Sequence, residues 1–456
     1  MDIAVIGTGY VGLVAATCFA DAGHNLICAD ANREKLTLLK AGKVPFYEPG
    51  LEELFAQSKK RMTFVPGVAD AVTKANVIFV AVGTPELPDG SADMQPTFRV
   101  LEEICASVTE PSLVVLKSTV PIGTARRASQ YCLQYAKHPI EIVSNPEFLR
   151  QGAALEDFLK PDRVVIGCQS EKAKVTMTEL YEPFLRHGGR MQSMDNTSAE
   201  MVKYAANSFL ALKISFINEL ALLADKLGAD IDRVREGFTS DHRINPAFFN
   251  PGIGYGGSCF PKDVRALVYT GKQVGLDLKL LQAADDVNER QKSILTDRLY
   301  KRFGSLQGLK IAIWGLAFKP RTDDVRRAPA IKIMEDLVRH GATVSAYDPI
   351  AMENTKQASL AKFEAAGSAL EAAHGADALL IITEWSEFKG VDLEQLKSEL
   401  RQPVIFDGRN LFDPAKMSEQ GFEYYGIGRQ VRGTSLTTQN EKLNPLASSS
   451  WMQSPL

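Results

Sequence analysis

The chain has 456 residues, 45% hydrophobic and 23% charged, with a formal net charge of −3. That length allows two or three domains with a large buried core; the charge excludes a global basic field for nucleic acid, and no run of ~18 uninterrupted apolar residues predicts a membrane span. The six cysteines (Cys18, Cys28, Cys105, Cys132, Cys168 and Cys259) show no CxxC spacing. This argues against a zinc site or a disulfide framework and for a reducing cytoplasm, where a thiol can serve as a nucleophile. The opening MDIAVIGTGYVG has no basic region before its apolar run, so no signal peptide is expected.

In chain order, the apolar run IAVIG predicts a strand, GTGYVG a glycine turn, and LVAATCFADAG a helix. A second strand, NLICAD, ends at Asp30, and further strands read NVIFVAV, SLVVLKST and IEIVSNP. Strands separated by helices predict a parallel, doubly wound sheet. A long helix is expected from about Thr197 to Gly228, with Thr197 and Glu200 in capping-box spacing and Gly228 as its stop. Apolar residues cover most of its faces, so it is expected to lie buried between domains or subunits. The strand–turn–helix pattern then restarts with LKIAIWGLAFKPRTDD, followed by APAIKIMEDLVRHG, TVSAYDP, ALLIITEW and PVIFDGRN. The expected fold class is α/β: two doubly wound Rossmann-like domains joined by a long central helix. The expected boundaries are 1–196 for a dinucleotide-binding domain, 197–300 for a central helical region, 301–432 for a second nucleotide-binding domain, and 433–456 for a disordered tail.

Gly7, Gly9 and Gly12 have GxGxxG spacing between a strand and a helix, with Asp30 about 20 residues on, which together read as dinucleotide binding. Gly7 makes the turn, Gly9 admits the pyrophosphate, and Gly12 lets helix approach strand. Asp30 is placed to accept ribose hydroxyls and to repel a 2′-phosphate, so NAD is expected over NADP, with Arg33 as the opposing feature. VGTPE, with Thr84 and Pro85, and KSTVPIGT, with Ser118 and Thr119, follow apolar strands and so line the expected ligand crevice. Glu147 in SNPEF lies just past a strand, where a carboxylate reads either as a solvated loop residue or as an acid/base group. Lys203 and Asn207 lie four apart on the long helix and share a face; on its own, the lysine reads equally as a snorkelling side chain. GYGGSCFPKD, from Gly254 to Asp263, places Cys259 after a glycine-rich turn and close to Lys262. Bare N–H groups and a cation both favour the thiolate, and Asp263 can anchor a lysine or a water.

These motifs together, over roughly residues 1–430, resemble the UDP-glucose/GDP-mannose dehydrogenase family. The resemblance implies oxidation of a sugar 6-hydroxyl through the aldehyde to a carboxylate with two NAD⁺, on a UDP-sugar expected to be UDP-glucose, with no metal. It implies that Cys259 is the nucleophile, Glu147 the acid/base in thioester hydrolysis, and Lys203 the cation near the reacting oxygen. Asn207, Asp263 and Thr119 are implied as polar groups at that centre. The implied cofactor contacts are Gly7, Gly9, Tyr10, Val11, Gly12, Asp30, Lys35, Thr84, Pro85, Ser118, Thr119, Gln151, Lys262 and Arg326. The implied substrate contacts add Phe148, Leu149, Asn250, Gly252, Gly254, Tyr255, Gly256, Phe318, Lys319 and Arg409 to Glu147, Lys203 and Asn207. Arg243 is implied to reach the sugar site of a neighbouring subunit, which makes a homodimer the smallest complete unit. Two positions depart from the family pattern: Gln151 and Arg327 stand where glutamates are common. A protein of this fold that only bound nucleotide sugars would have no use for the thiol.

Overall fold

Residues 1–429 are described by the computed structural model; the tail expected to be disordered, 433–456, lies outside them. The chain divides into two units. The first comprises Met1–Phe209 and Lys262–Lys279, the second Leu210–Pro261 and the residues from Leu280 onward.

The first unit is built on eight strands: β1 (Asp2–Ile6), β2 (Asn25–Ala29), β3 (Met62–Val65), β4 (Val77–Val80), β5 (Ser112–Leu116), β6 (Ile140–Ser144), β7 (Arg163–Gly167) and β8 (Arg190–Met194). Their order is 3-2-1-4-5-6-7-8, and every pairing is parallel except β6 with β7. Ile3, Ala4 and Val5 of β1 and Ile78 and Val80 of β4 are fully buried. Helices cover both faces of such a sheet, so its strands read as continuous apolar runs without alternation. The order reverses between β1 and β4, which opens a crevice at their carboxyl ends.

The second unit repeats the plan with six parallel strands: β9 (Lys310–Trp314), β10 (Thr343–Tyr347), β11 (Glu364–Ala365), β12 (Ala378–Ile381), β13 (Val404–Asp407) and β14 (Glu423–Tyr425), in the order 11-10-9-12-13-14. Its reversal lies between β9 and β12. The expected pair of doubly wound sheets is therefore present, with the long helix between them in the chain.

That helix runs Asn196–Leu227 and stops at Gly228, whose φ is +74°. Its start differs from the expected capping box. Asp195 caps it, accepting from the Ser198 N–H at 2.9 Å. Glu200 turns away and accepts the Gly123 and Ala125 N–H groups at 2.5 and 2.7 Å, at the start of the helix Thr124–Tyr135. Four unpaired N–H groups at a helix N-terminus attract a carboxylate whichever segment supplies it. By length and composition Asn196–Leu227 could cross a bilayer. Two of its buried polar side chains bond to protein carbonyls: Lys213 Nζ donates to the Asn245 carbonyl at 2.8 Å and Ser215 Oγ to the Ala284 carbonyl at 2.7 Å.

Candidate active site

In the first unit the glycine loop follows β1. Gly7 has φ +97°, and a Cβ there would lie 2.7 Å from the Ala81 carbonyl oxygen; a Cβ on Gly12 would lie 1.9 Å from the Gly7 carbonyl oxygen. Among the described residues, none beyond its chain neighbours has an atom within 4 Å of the point a Cβ on Gly9 would occupy. The first and third glycines thus serve the protein's own packing. The second leaves backbone open for a pyrophosphate at the start of the helix Tyr10–Asp21. Asp30 closes β2, and its Oδ2 accepts from the Thr8 N–H at 2.8 Å, Thr8 Oγ1 at 2.7 Å and Lys35 Nζ at 3.0 Å. Burial works against its charge, but these bonds and the Asn32 N–H outweigh it and hold the carboxyl below the usual range. A carboxylate that stays ionised here fits a dinucleotide with free ribose hydroxyls.

The loops after β4 and β5 are tied together: Thr84 Oγ1 donates to the Thr119 carbonyl at 2.9 Å, and Ser118 Oγ to the Val82 carbonyl at 2.6 Å. Pro85 is exposed, and Val11 and Thr119 are half-buried. Glu48, which the sequence reading missed, joins two segments. It accepts from Tyr10 of the glycine loop and from the Gly152 and Ala154 N–H groups at 2.6 and 2.7 Å, next to Gln151.

Glu147 is buried, not solvated. Its Oε1 lies 3.0 Å from Lys203 Nζ, with side chains 6% and 4% exposed, and its Oε2 accepts the Leu149 N–H at 2.5 Å. Lys203 also lies over the Phe148 ring at 5.3 Å, so it does not snorkel. One helical turn on, Asn207 Nδ2 donates to Asp263 Oδ2 at 2.6 Å, and Lys262 Nζ pairs with Asp263 Oδ1 at 2.6 Å. The first unit therefore gathers Glu147, Phe148, Leu149, Lys203, Asn207, Lys262 and Asp263 into one water-poor cluster. It can offer a carboxylate as a base and a fixed cation to a developing oxyanion.

Cys259, half-buried, belongs to the second unit and immediately precedes the helix Phe260–Gln273. Its glycines are not simply bare. A Cβ would meet Asn288 Oδ1 at 2.7 Å from Gly254, the Arg327 carbonyl at 2.4 Å from Gly256, the Phe318 ring at 2.9 Å from Gly257 and the Gly408 carbonyl at 2.9 Å from Gly252. The Gly257 N–H, expected to face the thiol region, donates instead to the Arg326 carbonyl at 2.9 Å. Lys262, expected to supply the cation, is paired with Asp263. Arg326, itself held to Asp324 at 2.7 Å, is a positive group that interacts electrostatically with Cys259. A nearby guanidinium stabilises negative charge on sulfur.

Buried amides that the sequence reading also missed bracket this loop. Asn218 Oδ1 accepts the Gly252 N–H at 2.8 Å, Gln291 Nε2 donates to the Gly252 carbonyl at 2.7 Å, and Asn288 bonds both the N–H and the carbonyl of Tyr255 at 2.8 and 3.1 Å. The available signal was register: Asn288 and Gln291 continue from Ala284 at i+4 and i+7 on the inner stripe of the helix Lys279–Gln291. Arg409 joins them, with Nη1 donating to the Gly254 carbonyl at 3.1 Å. Phe318 and Lys319 adjoin one another, Nζ lying 5.7 Å from the ring. Phe248, Arg321, Arg327 and Asn410 have positive φ, and all four lie in the second unit's loops. Such backbone strain persists only where the surroundings over-determine it. Two predicted contacts stand apart: Asn250 accepts from Arg235 at the surface, and exposed Arg243 pairs with Asp241 at 2.5 Å.

A glycine loop and an ionised Asp30 beside the switch point of a parallel sheet define a dinucleotide-binding protein. Family comparison extends the likeness over most of the chain. Residues 1–185, 197–290 and 312–414 match the NAD binding, central and UDP binding domains of the UDP-glucose/GDP-mannose dehydrogenase family. The chain is 45% identical over 446 residues to a UDP-glucose 6-dehydrogenase of Pseudomonas aeruginosa, covering 95% of this chain and 98% of that protein. Among solved structures it resembles a UDP-glucose dehydrogenase of Pyrobaculum islandicum, with a TM-score of 0.87 and 37% identity over 94% of this chain and 98% of that one. It also resembles a UDP-D-ManNAc dehydrogenase of Pyrococcus horikoshii, with a TM-score of 0.84 and 29% identity over 94% and 99%. The chain belongs to the UDP-glucose/GDP-mannose dehydrogenase family: it is an oxidoreductase, and its cofactor is NAD.

Proposed function

We propose that this enzyme oxidises UDP-glucose to UDP-glucuronate in the cytoplasm: UDP-glucose, two NAD⁺ and water give UDP-glucuronate, two NADH and protons. The observation that carries this reading is likeness over nearly the whole chain to a protein of that named activity, with the thiol, carboxylate and lysine all present. Bound NAD⁺ supplies the hydride acceptor. Gly9, Asp30 and the Thr84 and Ser118 loops hold and orient it. Lys203 stabilises the alkoxide at the sugar C6 oxygen as the alcohol becomes an aldehyde. The Cys259 sulfur adds to the aldehyde carbon, forming a C–S bond, and a second two-electron oxidation leaves a thioester. Glu147 takes a proton from water as it attacks the acyl carbon, and the C–S bond breaks to return the thiol and the carboxylate product. Splitting one difficult oxidation through a covalent intermediate keeps the aldehyde from escaping.

We read the functional unit as a homodimer. Phe209, Phe216 and Leu223 recur every seven residues along the long helix and are exposed, as is Leu227, an apolar stripe of the kind that marks interfaces. Arg243, exposed in its own chain, would complete the partner's sugar site.

The test is stoichiometry on a panel of nucleotide sugars. Limiting UDP-glucose should yield two NADH per sugar and no free aldehyde. One NADH with released aldehyde would overturn the covalent scheme, and preference for a UDP-N-acetylhexosamine would overturn the substrate.

A further inference from the structure

The scheme above leaves one buried lysine of the first unit without a role. Lys117 follows β5 and is 5% exposed. Its Nζ donates to Asn145 Oδ1 and to the Tyr181 hydroxyl, both at 3.0 Å, and the Tyr181 hydroxyl donates to the same Asn145 oxygen at 2.7 Å. The rings of Tyr181 and Phe158 flank the ammonium at 5.4 and 5.9 Å. Among the described residues no carboxylate forms an ion pair with it. Asn145 is itself locked, with its backbone N–H on the Leu116 carbonyl and its Nδ2 on the Val165 carbonyl, each at 2.9 Å. Pro146 fixes the next φ, and Glu147 follows.

A methionine would fill this space without desolvating an ammonium. What the lysine adds is a donor on Asn145 and a charge that Glu147 and Lys203 feel. Burial is the main reason its proton affinity is pushed down to about 7, with Glu147 favouring the proton and Lys203 opposing it. The titratable groups around it are thus Glu147, Lys203 and Tyr181, the last held protonated by burial.

We propose that Lys117 is a positioning residue: through Asn145 Oδ1 it fixes the Asn145–Pro146–Glu147 turn, and so holds Glu147 for the step in which water removes the acyl group from Cys259. This rests on the reading of Glu147 given under Proposed function.

The test compares Lys117→Met, Glu147→Gln and the double variant in the full-length protein. General acid/base help is worth ~10²–10⁴-fold, and loss of its positioning should forfeit ~10–100-fold of it. Lys117→Met should keep a first-turnover burst of NADH within about threefold of wild type while steady-state kcat falls ~10–100-fold. KM for NAD⁺ should move less than about twofold. Intact mass after mixing with UDP-glucose and NAD⁺ should show the acyl adduct, as in Glu147→Gln. The double variant should be no slower than Glu147→Gln alone, because both changes act on one group. Should Lys117→Met fail to fold, Lys117→Gln, which keeps an N–H donor but no charge, should show the same burst, adduct and non-additivity with a smaller loss of steady-state kcat. An adduct in Glu147→Gln with none in the lysine variants overturns the proposal alone, as do multiplicative losses in the double variant or a lowered melting temperature with wild-type kinetics. No adduct in Glu147→Gln overturns the reading of Glu147 and the proposal with it.

Discussion

Lys203→Met removes one member of the ion pair that organises the first unit's cluster. At 3.0 Å and an effective dielectric of ~20, the pair's attraction is about 5.5 kcal/mol. Both side chains are almost fully buried, so the carboxylate left behind cannot recover water. Its remaining support is the Leu149 N–H and the more distant charge of Lys117. Removing one partner of a buried pair typically destabilises by ~3–5 kcal/mol, and Lys117 pulls the expected figure to the lower end, about 3 kcal/mol. In a unit of this size that lowers the melting temperature by ~6–12 °C. Adding Glu147→Gln should return about half of the loss, because a neutral amide replaces the stranded charge. Differential scanning calorimetry of wild type, both single variants and the double closes the cycle. A loss below ~1 kcal/mol for Lys203→Met, or simple additivity in the double variant, would show that water reaches the pair and that burial does not tune this centre.

Gly9→Ala should fold like wild type and weaken NAD⁺ binding at least ~10-fold, measured by calorimetric titration, because its Cβ meets no protein atom but enters the phosphate cradle; Gly12→Ala, with a Cβ 1.9 Å from a carbonyl oxygen, should prevent the unit from folding, read as loss of soluble protein. Burial raises the Glu200 carboxyl to about 7 against an unfolded value near ~4.3, so its contribution to stability is full below ~4.3 and is lost as pH rises through 7. Melting temperatures recorded between pH 4.5 and 7 should therefore fall less steeply with pH in Glu200→Gln than in wild type.

Much of the fold was legible because its signals are local. Apolar runs bounded by glycine predicted the buried parallel strands, and the restart at LKIAIWG predicted the second sheet. The GxGxxG spacing with Asp30 at a strand end assigned the three glycines separate duties; the structure shows the close backbone contacts of Gly7 and Gly12 and leaves Gly9 open. Cys259 stood out because a thiol among glycines is an uncommon local pattern. What the tertiary structure decided was the environment of each polar group. Glu147 reads as a solvated loop residue until Lys203, 56 positions later, is packed onto it. Glu200 matches a capping box for its own helix, yet it caps another. The glycines before Cys259 look like room for a ligand, but most of that room is filled by Asn288, Arg327 and Phe318. Lys117, Glu48 and Asn218 carry no local mark at all. Spacing reports helix and strand periods, which are properties of a few consecutive residues. Desolvation and hydrogen bonding depend on which distant segments share a core, and that is settled only when the chain closes on itself.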